Sequence, residues 1–314
     1  MWILVILIIN YILCVFSLPE KCRALSIGGG TDRGAYEAGA IIGLINSLPA
    51  DESQWKVVTG VGTGALNALI VSQFSIGKEN FLTQALLEFW GNFTYKKIYK
   101  DWDGWYIEAF RSKSGLYNSS PMNDTIKSLG SQNFERFLGV GTTDLISGNY
   151  VFFNSTTQSK DAMLLGIYAS ASDYGYLPIV EYNEFKLVSG HIKFATDILH
   201  AVNACYELGY AQKDIILDIV LTSGKSIEVV DTTQYRTLQF LTRYWEITSF
   251  YSAMQAILNL GIDFPEVTVR SIVYPQSHLP YSFYLYDYSH KENEKMLIEG
   301  QKDAINSLDF IVSS

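Results

Sequence analysis

The fold of this chain is decided by the stretch Val57-Val58-Thr59-Gly60-Val61-Gly62-Thr63-Gly64-Ala65-Leu66-Asn67-Ala68. Its apolar start predicts a buried strand, its glycines a tight turn and its end a helix. The turn has the frame G-x-S-x-G, in which a strained central serine stands exposed above a sheet as a nucleophile. Here the central residue is Gly62, which accepts a positive φ but has no side chain that could attack an ester. The sequence therefore predicts a nucleophile elbow that lacks its nucleophile.

A second strand, glycine loop and helix precede the elbow. Residues 23–27 form a short apolar strand that leads into Gly28-Gly29-Gly30-Thr31-Asp32-Arg33-Gly34, and residues 35–48 follow as a helix that Pro49 stops. This order places free backbone N–H groups at a helix N-terminus, where α/β proteins bind anions. The alternative is a tight turn without a ligand. Two such units in the first quarter of the chain predict a parallel sheet covered on both faces.

The remaining elements alternate in the same way, with no internal repeat and no linker. Hydrophobic periodicity predicts helices over 65–74, 79–93, 121–129, 162–172, 197–208, 239–260 and 293–308, and strands over 56–59, 137–145, 150–154, 184–189, 215–221 and 267–274. The segment 95–115 is rich in aromatic and charged residues, and it is either a cap over the site or a packed surface layer. One domain over residues 18–314 is expected.

Charge excludes two classes of partner. The chain has 314 residues, 48% of them hydrophobic, with 23 basic and 32 acidic side chains and a formal charge of −9. No run of lysine and arginine occurs. Nucleic acids and anionic membrane surfaces are therefore not expected as electrostatic partners.

The N-terminus predicts export. Residues 2–16 are almost entirely apolar, which indicates a signal peptide over 1–17 cut near Ser17, with an uncleaved anchor over 2–16 as the alternative. Four N-x-[ST] sequons, at Asn92, Asn118, Asn123 and Asn154, are glycosylation candidates. Cys22 and Cys205 would remain in the mature chain, either as one disulfide or as two buried thiols. We expect a secreted or luminal protein.

From about residue 22 to about residue 224 the chain resembles the patatin-like phospholipase family. The residues that match its loop, elbow and aspartate segment are Gly29, Gly30, Arg33, Gly34, Ala35, Tyr36, Ala38 and Gly39, then Gly60, Val61, Gly64, Ala65, Leu66, Asn67 and Ala68, then Leu187-Val188-Ser189-Gly190. The resemblance implies a three-layer α/β/α fold with a mostly parallel central sheet, an apolar acyl cleft and a Ser–Asp dyad. It also implies an oxyanion loop over Gly28, Gly29, Gly30, Arg33 and Gly34.

The chain departs from this pattern where the chemistry occurs. Gly62 occupies the serine position, Ser189 occupies the aspartate position, and Thr31-Asp32 stands in the loop where the family has one residue. Loss of either dyad partner costs several orders of magnitude in rate, so two losses favour a pseudoenzyme.

Two residues could in principle substitute for the lost groups. Thr63 is β-branched and suits a strained elbow badly. His191 could accept a proton, and a solvated or capping histidine is the favoured interpretation. The other histidines, His200, His278 and His290, have no metal spacing, so neither a metal nor a cofactor is expected.

Three hypotheses follow. The first is a silent patatin-like scaffold that binds a lipid, a fatty-acyl ligand or a protein. The second is an active lipid acyl hydrolase with a non-standard nucleophile, and the third is a structural subunit of an assembly whose cleft is filled. Membrane contact would occur through the cleft or through an uncleaved N-terminal segment.

Overall fold

The computed structural model describes residues 20–277, 279 and 289–312. The expected signal peptide over 1–17 and His278 lie outside the described residues. Eight strands form one sheet: β1 (Cys22–Ile27), β2 (Val57–Gly60), β3 (Phe137–Asp144), β4 (Tyr150–Asn154), β5 (Val180–Tyr182), β6 (Phe185–Ser189), β7 (Ile215–Val220) and β8 (Thr268–Val273).

The strand order is β5-β6-β3-β2-β1-β7-β8, with β4 paired to β3. The five strands from β3 to β8 are parallel, while β4 and β6 run antiparallel to β3, and β5 runs antiparallel to β6. The predicted mostly parallel central sheet is therefore confirmed. Because β1 and β2 are neighbours and Ile27 pairs with Gly60, the glycine loop and the elbow emerge side by side at one edge.

Helices cover both faces of the sheet. They are α1 (Gly34–Ser47), α2 (Gly64–Ser72), α3 (Glu79–Gly91), α4 (Trp105–Ser112), α5 (Ser120–Leu129), α6 (Lys160–Ser170), α7 (Ile198–Glu207), α8 (Thr237–Asp263) and α9 (His290–Val312). One core joins α1, α2, α3, α5, α6 and α9 to one face, where Leu25 and Val58 point. A second core joins α7 and α8 to the other face, where Ala24 and Val57 point. This is the expected three-layer α/β/α architecture.

Three parts of the chain differ from expectation. The segment 95–115 contains the helix α4, whose side chains Trp105, Ile107 and Phe110 are exposed, so it is not a packed surface layer. Strand β5 was not predicted, because three residues are too few to give a periodic signal. The helix over 239–260 was predicted too short, since α8 begins at Thr237 and ends at Asp263.

A disulfide connects the sheet to its second helical layer. Cys22 on β1 and Cys205 on α7 are bonded across 183 residues of chain, and both are fully buried. Across residues 20–277, 279 and 289–312, no helix combines the length and apolar character needed to cross a membrane.

Candidate functional site

The elbow has the backbone of a nucleophile turn. Strand β2 ends at Gly60, helix α2 begins at Gly64, and Gly62 between them has a φ of +58°. An amide hydrogen bond fixes this conformation, since the N–H of Gly62 donates to Oγ of Ser170 at 3.0 Å. Ser170 in turn donates to the carbonyl of Gly141 on β3 at 2.7 Å. The left-handed turn is thus tied to the sheet although no side chain stands at its centre.

The two degenerate dyad positions face each other. A Cβ atom on Gly62 would lie 3.7 Å from Oγ of Ser189, which ends strand β6 and is buried. Oγ of Ser189 accepts a hydrogen bond from the N–H of His191 at 3.3 Å. The structure therefore brings together the two positions where the resemblance expects a nucleophile and its base. Neither residue carries the group that those roles need.

The N–H groups of the three glycines in the predicted oxyanion loop are all engaged in hydrogen bonds within the protein. The N–H of Gly28 donates to the carbonyl of Val220 at 2.8 Å, and the N–H of Gly29 donates to the carbonyl of Ala195 at 3.0 Å. The N–H of Gly30 donates to Oγ1 of Thr63 at 3.3 Å. An oxyanion hole needs donors aimed at the developing negative charge. These three donors are already paired within the protein.

The loop absorbs its additional residue in a left-handed turn. Thr31 has a φ of +55°, and the side chain of Arg33 is buried. Its Nη1 donates to the carbonyl of Thr222 at 2.6 Å, and its Nη2 donates to the carbonyl of Leu279. Gly34 begins helix α1. Arg33 thus anchors the loop to the chain after β7 and β8.

His191 lies against the glycine loop and stays partly exposed. Its Nδ1 lies 2.8 Å from the position that a Cβ on Gly29 would take. Its Nε2 lies 2.7 Å from Oγ of Ser249 on α8, within hydrogen-bond distance. Burial, and then the charge of Arg33, lower the pKa of His191 to about 4. The ring is neutral at pH 7 and connects α8 to the floor of the site.

Thr63 lies in a buried polar network behind the elbow. It has a φ of −63°, outside the strained region, and its Oγ1 donates to Glu37 at 2.9 Å. Asn67 donates to the same carboxyl at 2.8 Å and accepts from Nε1 of Trp90 at 2.7 Å. Burial raises the pKa of Glu37 to about 8. The hydroxyl of Thr63 is therefore committed to structural bonds.

Sequence reasoning missed Glu37, Ser170 and Ser249. One signal for Glu37 was available, because it is the only charged residue among small and apolar residues from Gly34 to Leu48. The partners of Ser170 and Ser249 come from distant parts of the chain, so no local pattern marks them.

An open cavity of about 210 Å³ lies above the elbow. Gly62, Ser189 and His191 contribute to its floor, and Tyr174, Tyr244 and Trp245 contribute to its wall. The rings of Tyr174 and Trp245 pack with centroids 5.3 Å apart. The cavity combines aromatic walls with hydroxyl groups of α8.

The remaining candidate residues lie away from the cavity. None of the four sequon asparagines is buried: Asn92 is exposed, and Asn118, Asn123 and Asn154 are partly exposed. Nδ1 of His200 lies 2.7 Å from Asp197, and Nδ1 of His290 bonds to the carbonyl of Gly91. In the described part of the chain, no group of three or more metal-ligating side chains comes together.

The parallel sheet, the left-handed elbow and the facing residue on β6 define an α/β protein built on the frame of a serine hydrolase. The family model of the patatin-like phospholipases matches residues 25–200, more than half of the chain. This chain belongs to the patatin-like phospholipase family.

Two solved structures are similar to this chain at low sequence identity. VipD from Legionella pneumophila is 11% identical, with 94% of this chain and 68% of VipD covered and a TM-score of 0.46. The type III effector protein ExoU is 12% identical, with a TM-score of 0.40 and 94% of this chain covered. This chain spans 54% of the ExoU chain. No curated protein matches the chain.

Proposed function

We propose that this protein is a patatin-like pseudoenzyme that binds a lipid acyl ligand without hydrolysing it. The observation that carries the proposal is the pair Gly62 and Ser189, which face each other without a serine hydroxyl at the elbow centre and without a facing carboxylate. An ester bound above this floor therefore finds no serine–carboxylate pair at the elbow to form an acyl intermediate.

The surroundings of the elbow support inactivity independently. The N–H groups of Gly28, Gly29 and Gly30 are all bonded within the protein. Removal of a single oxyanion donor typically costs about 10²–10³ in rate, so an engaged loop opposes catalysis even if another nucleophile were present. Thr63, the nearest hydroxyl along the chain, is bonded to Glu37.

The open cavity supports ligand binding over a filled, purely structural cleft. Its volume of about 210 Å³ is below the roughly 300–1,000 Å³ of pockets for drug-sized ligands. A cavity of this size would hold part of an acyl chain, with the rest of the lipid outside. Helix α4 also supports a lipid ligand, because its apolar side chains Trp105, Ile107 and Phe110 are exposed. The chain after α4 leads to the cavity: the N–H of Leu116 donates to the carbonyl of Gly175, which follows the cavity residue Tyr174.

We also propose that the protein is exported. Disulfides persist in oxidising compartments, and Cys22 and Cys205 are bonded. The accessible asparagines of the four sequons agree with glycosylation in the same route. Treatment of the protein from secretory cells with a peptide N-glycosidase tests this proposal, because export predicts a loss of mass. An unchanged mass would contradict glycosylation.

Two measurements test the lipid-binding role. We expect that neither the unmodified protein nor Thr63→Ala hydrolyses a fluorogenic acyl ester. We expect a fluorescent fatty-acid probe to bind the unmodified protein and to bind Thr248→Trp at least tenfold more weakly, because Thr248 lines the cavity.

The matched control is Asn259→Trp, an exposed position on the same helix that does not line the cavity, and it should bind the probe normally. Hydrolysis by the unmodified protein that Thr63→Ala abolishes would establish the active hydrolase instead. Equal probe binding by Thr248→Trp and Asn259→Trp would show that the cavity is not the binding site.

A further inference from the structure

Helix α8 is apolar on two opposite faces, and only one of them is covered. Its inner face carries Ala253 and Leu260, which are buried in the second core, together with Ser249 and Ser252, which line the cavity. A helix that is apolar all round needs burial all round. Within the described residues, the outer face stands open to solvent.

The outer face is a regular stripe. It consists of Leu241, Tyr244, Thr248, Tyr251, Gln255, Leu258 and Ile262, at alternating spacings of three and four residues. The five apolar or aromatic members are 47, 60, 63, 63 and 75% exposed, in chain order. Apolar residues at this spacing form the seam of a helix pair. The stripe extends over roughly 33 Å of helix at about 1.5 Å per residue.

The stripe is complementary to itself when two copies run antiparallel. With Tyr251 on the twofold axis, Leu241 meets Ile262, Tyr244 meets Leu258, and Thr248 meets Gln255. The two polar members therefore meet each other, and every apolar member meets an apolar partner. An isologous interface requires this kind of self-complementarity.

Charge at the ends of α8 favours the antiparallel direction. Arg236 precedes the helix and Asp263 ends it, and both are exposed. An antiparallel pair brings the cation of one copy to the carboxylate end of the other. A parallel pair would place like charges and like ends of the helix dipoles together.

We propose that a second copy of this chain docks on the stripe, with its α8 antiparallel to the first. Tyr244 and Thr248 belong to the stripe and also line the cavity, so the second copy covers one side of the opening. The pairing does not depend on the proposed lipid-binding function, because it rests on α8 alone.

The arrangement can be tested by introducing one cysteine at a time into the full chain and cross-linking with a short bismaleimide. Axes of packed helices lie about 8–10 Å apart, so Tyr251→Cys, on the axis, should cross-link to itself. Two copies of Ile262→Cys would be separated by roughly 33 Å and two copies of Leu241→Cys by roughly 30 Å, so neither should cross-link alone. A mixture of these two variants should give a cross-linked heterodimer.

The unmodified protein shows how much cross-linking its native cysteines give. Light scattering after size exclusion measures the oligomeric state. A dimer that Leu258→Glu converts to a monomer supports the proposal. Self-cross-linking of Ile262→Cys would overturn the antiparallel arrangement. A monomer at about 100 μM, or a stripe that mediates vesicle binding without any dimer, would overturn the pairing.

Discussion

A Cβ atom on Gly62 would lie 3.7 Å from Oγ of Ser189, on a strand two places away in the sheet. This distance joins the two positions at which the resemblance predicts the serine and the aspartate of the patatin-like family. The elbow backbone is compatible with Gly62 because glycine holds a φ of +58° without a steric penalty. In the proposed pseudoenzyme, the backbone of the elbow is therefore present without the two side chains of a dyad.

Restoring both groups should restore measurable esterase activity. Gly62→Ser alone should leave turnover within about tenfold of the unmodified protein, because position 189 has no carboxylate to accept its proton. Gly62→Ser with Ser189→Asp should exceed the single variant by about 10²-fold, the lower end of general-base catalysis, since the loop donors remain engaged. Initial rates on a fluorogenic acyl ester measure this. Gly62→Ala with Ser189→Asp is the inactive control, and equal rates for the single and double serine variants would contradict the facing arrangement.

The serine at position 62 should also cost stability. A non-glycine residue at positive φ costs about 1–2 kcal/mol, and its Cβ would lie 3.1 Å from Cα of Gly29. Gly148→Ser is the matched control, because Gly148 has a φ of +71° with nothing within 4 Å of its Cβ position. In urea unfolding, we expect Gly62→Ser to lose more free energy than Gly148→Ser. Equal losses would mean that the contact with Gly29 relaxes freely.

The sequence predicted the parts of the site that local pattern determines. The glycines of the elbow and the loop were identified because turn geometry limits which residues occupy those positions. The alternation of strands and helices was predicted because each element carries its own periodicity. Ser189 was located because β6 ends in a short motif that resembles the family segment.

The rest of the site depends on contacts between distant parts of the chain. The N–H of Gly29 is engaged because the carbonyl of Ala195, from the turn before α7, reaches it. The ring of His191 is held over the glycine loop because Ser249 of α8 lies 2.7 Å from its Nε2. No spacing in the sequence encodes these distances, so the hydrogen bonds that engage the loop amides could not be predicted from it.

The stability of the fold should decline as pH rises from about 4.5 to about 8 because of Glu37. Its pKa is raised from the ordinary value of 4.5 to about 8, so the folded state holds a proton that the unfolded chain has released. Between these two pH values the contribution falls by up to about 1.4 kcal/mol per pH unit. In unfolding measurements from pH 5 to 9, Glu37→Gln should flatten this decline. An unchanged slope would show that Glu37 is ionised in the fold.

The titration of His191 should make the free energy of unfolding increase with pH on the acid side. Its pKa is lowered from 6.5 to about 4, so between these values the unfolded chain binds a proton that the folded chain does not. Stability therefore rises as pH increases through this window, by up to about 1.4 kcal/mol per unit. His191→Gln, which keeps a polar partner for Ser249, should flatten the rise. If the variant and the unmodified protein lose stability equally between pH 6.5 and 4, the ring is not held neutral.

The disulfide should contribute strongly to stability because it closes a long loop. Cys22 and Cys205 are 183 residues apart, and the chain-entropy relation gives roughly 5 kcal/mol for a loop of this length. We expect Cys22→Ala with Cys205→Ala to lower the free energy of unfolding by about 5 kcal/mol, and the volume that the buried alanines leave unfilled adds to this loss. Urea unfolding with and without reductant separates the two contributions. Reductant should destabilise the unmodified protein and leave the double alanine variant unchanged. If reductant leaves the free energy of unfolding of the unmodified protein unchanged, packing of β1 against α7, rather than the covalent bond, holds these layers together.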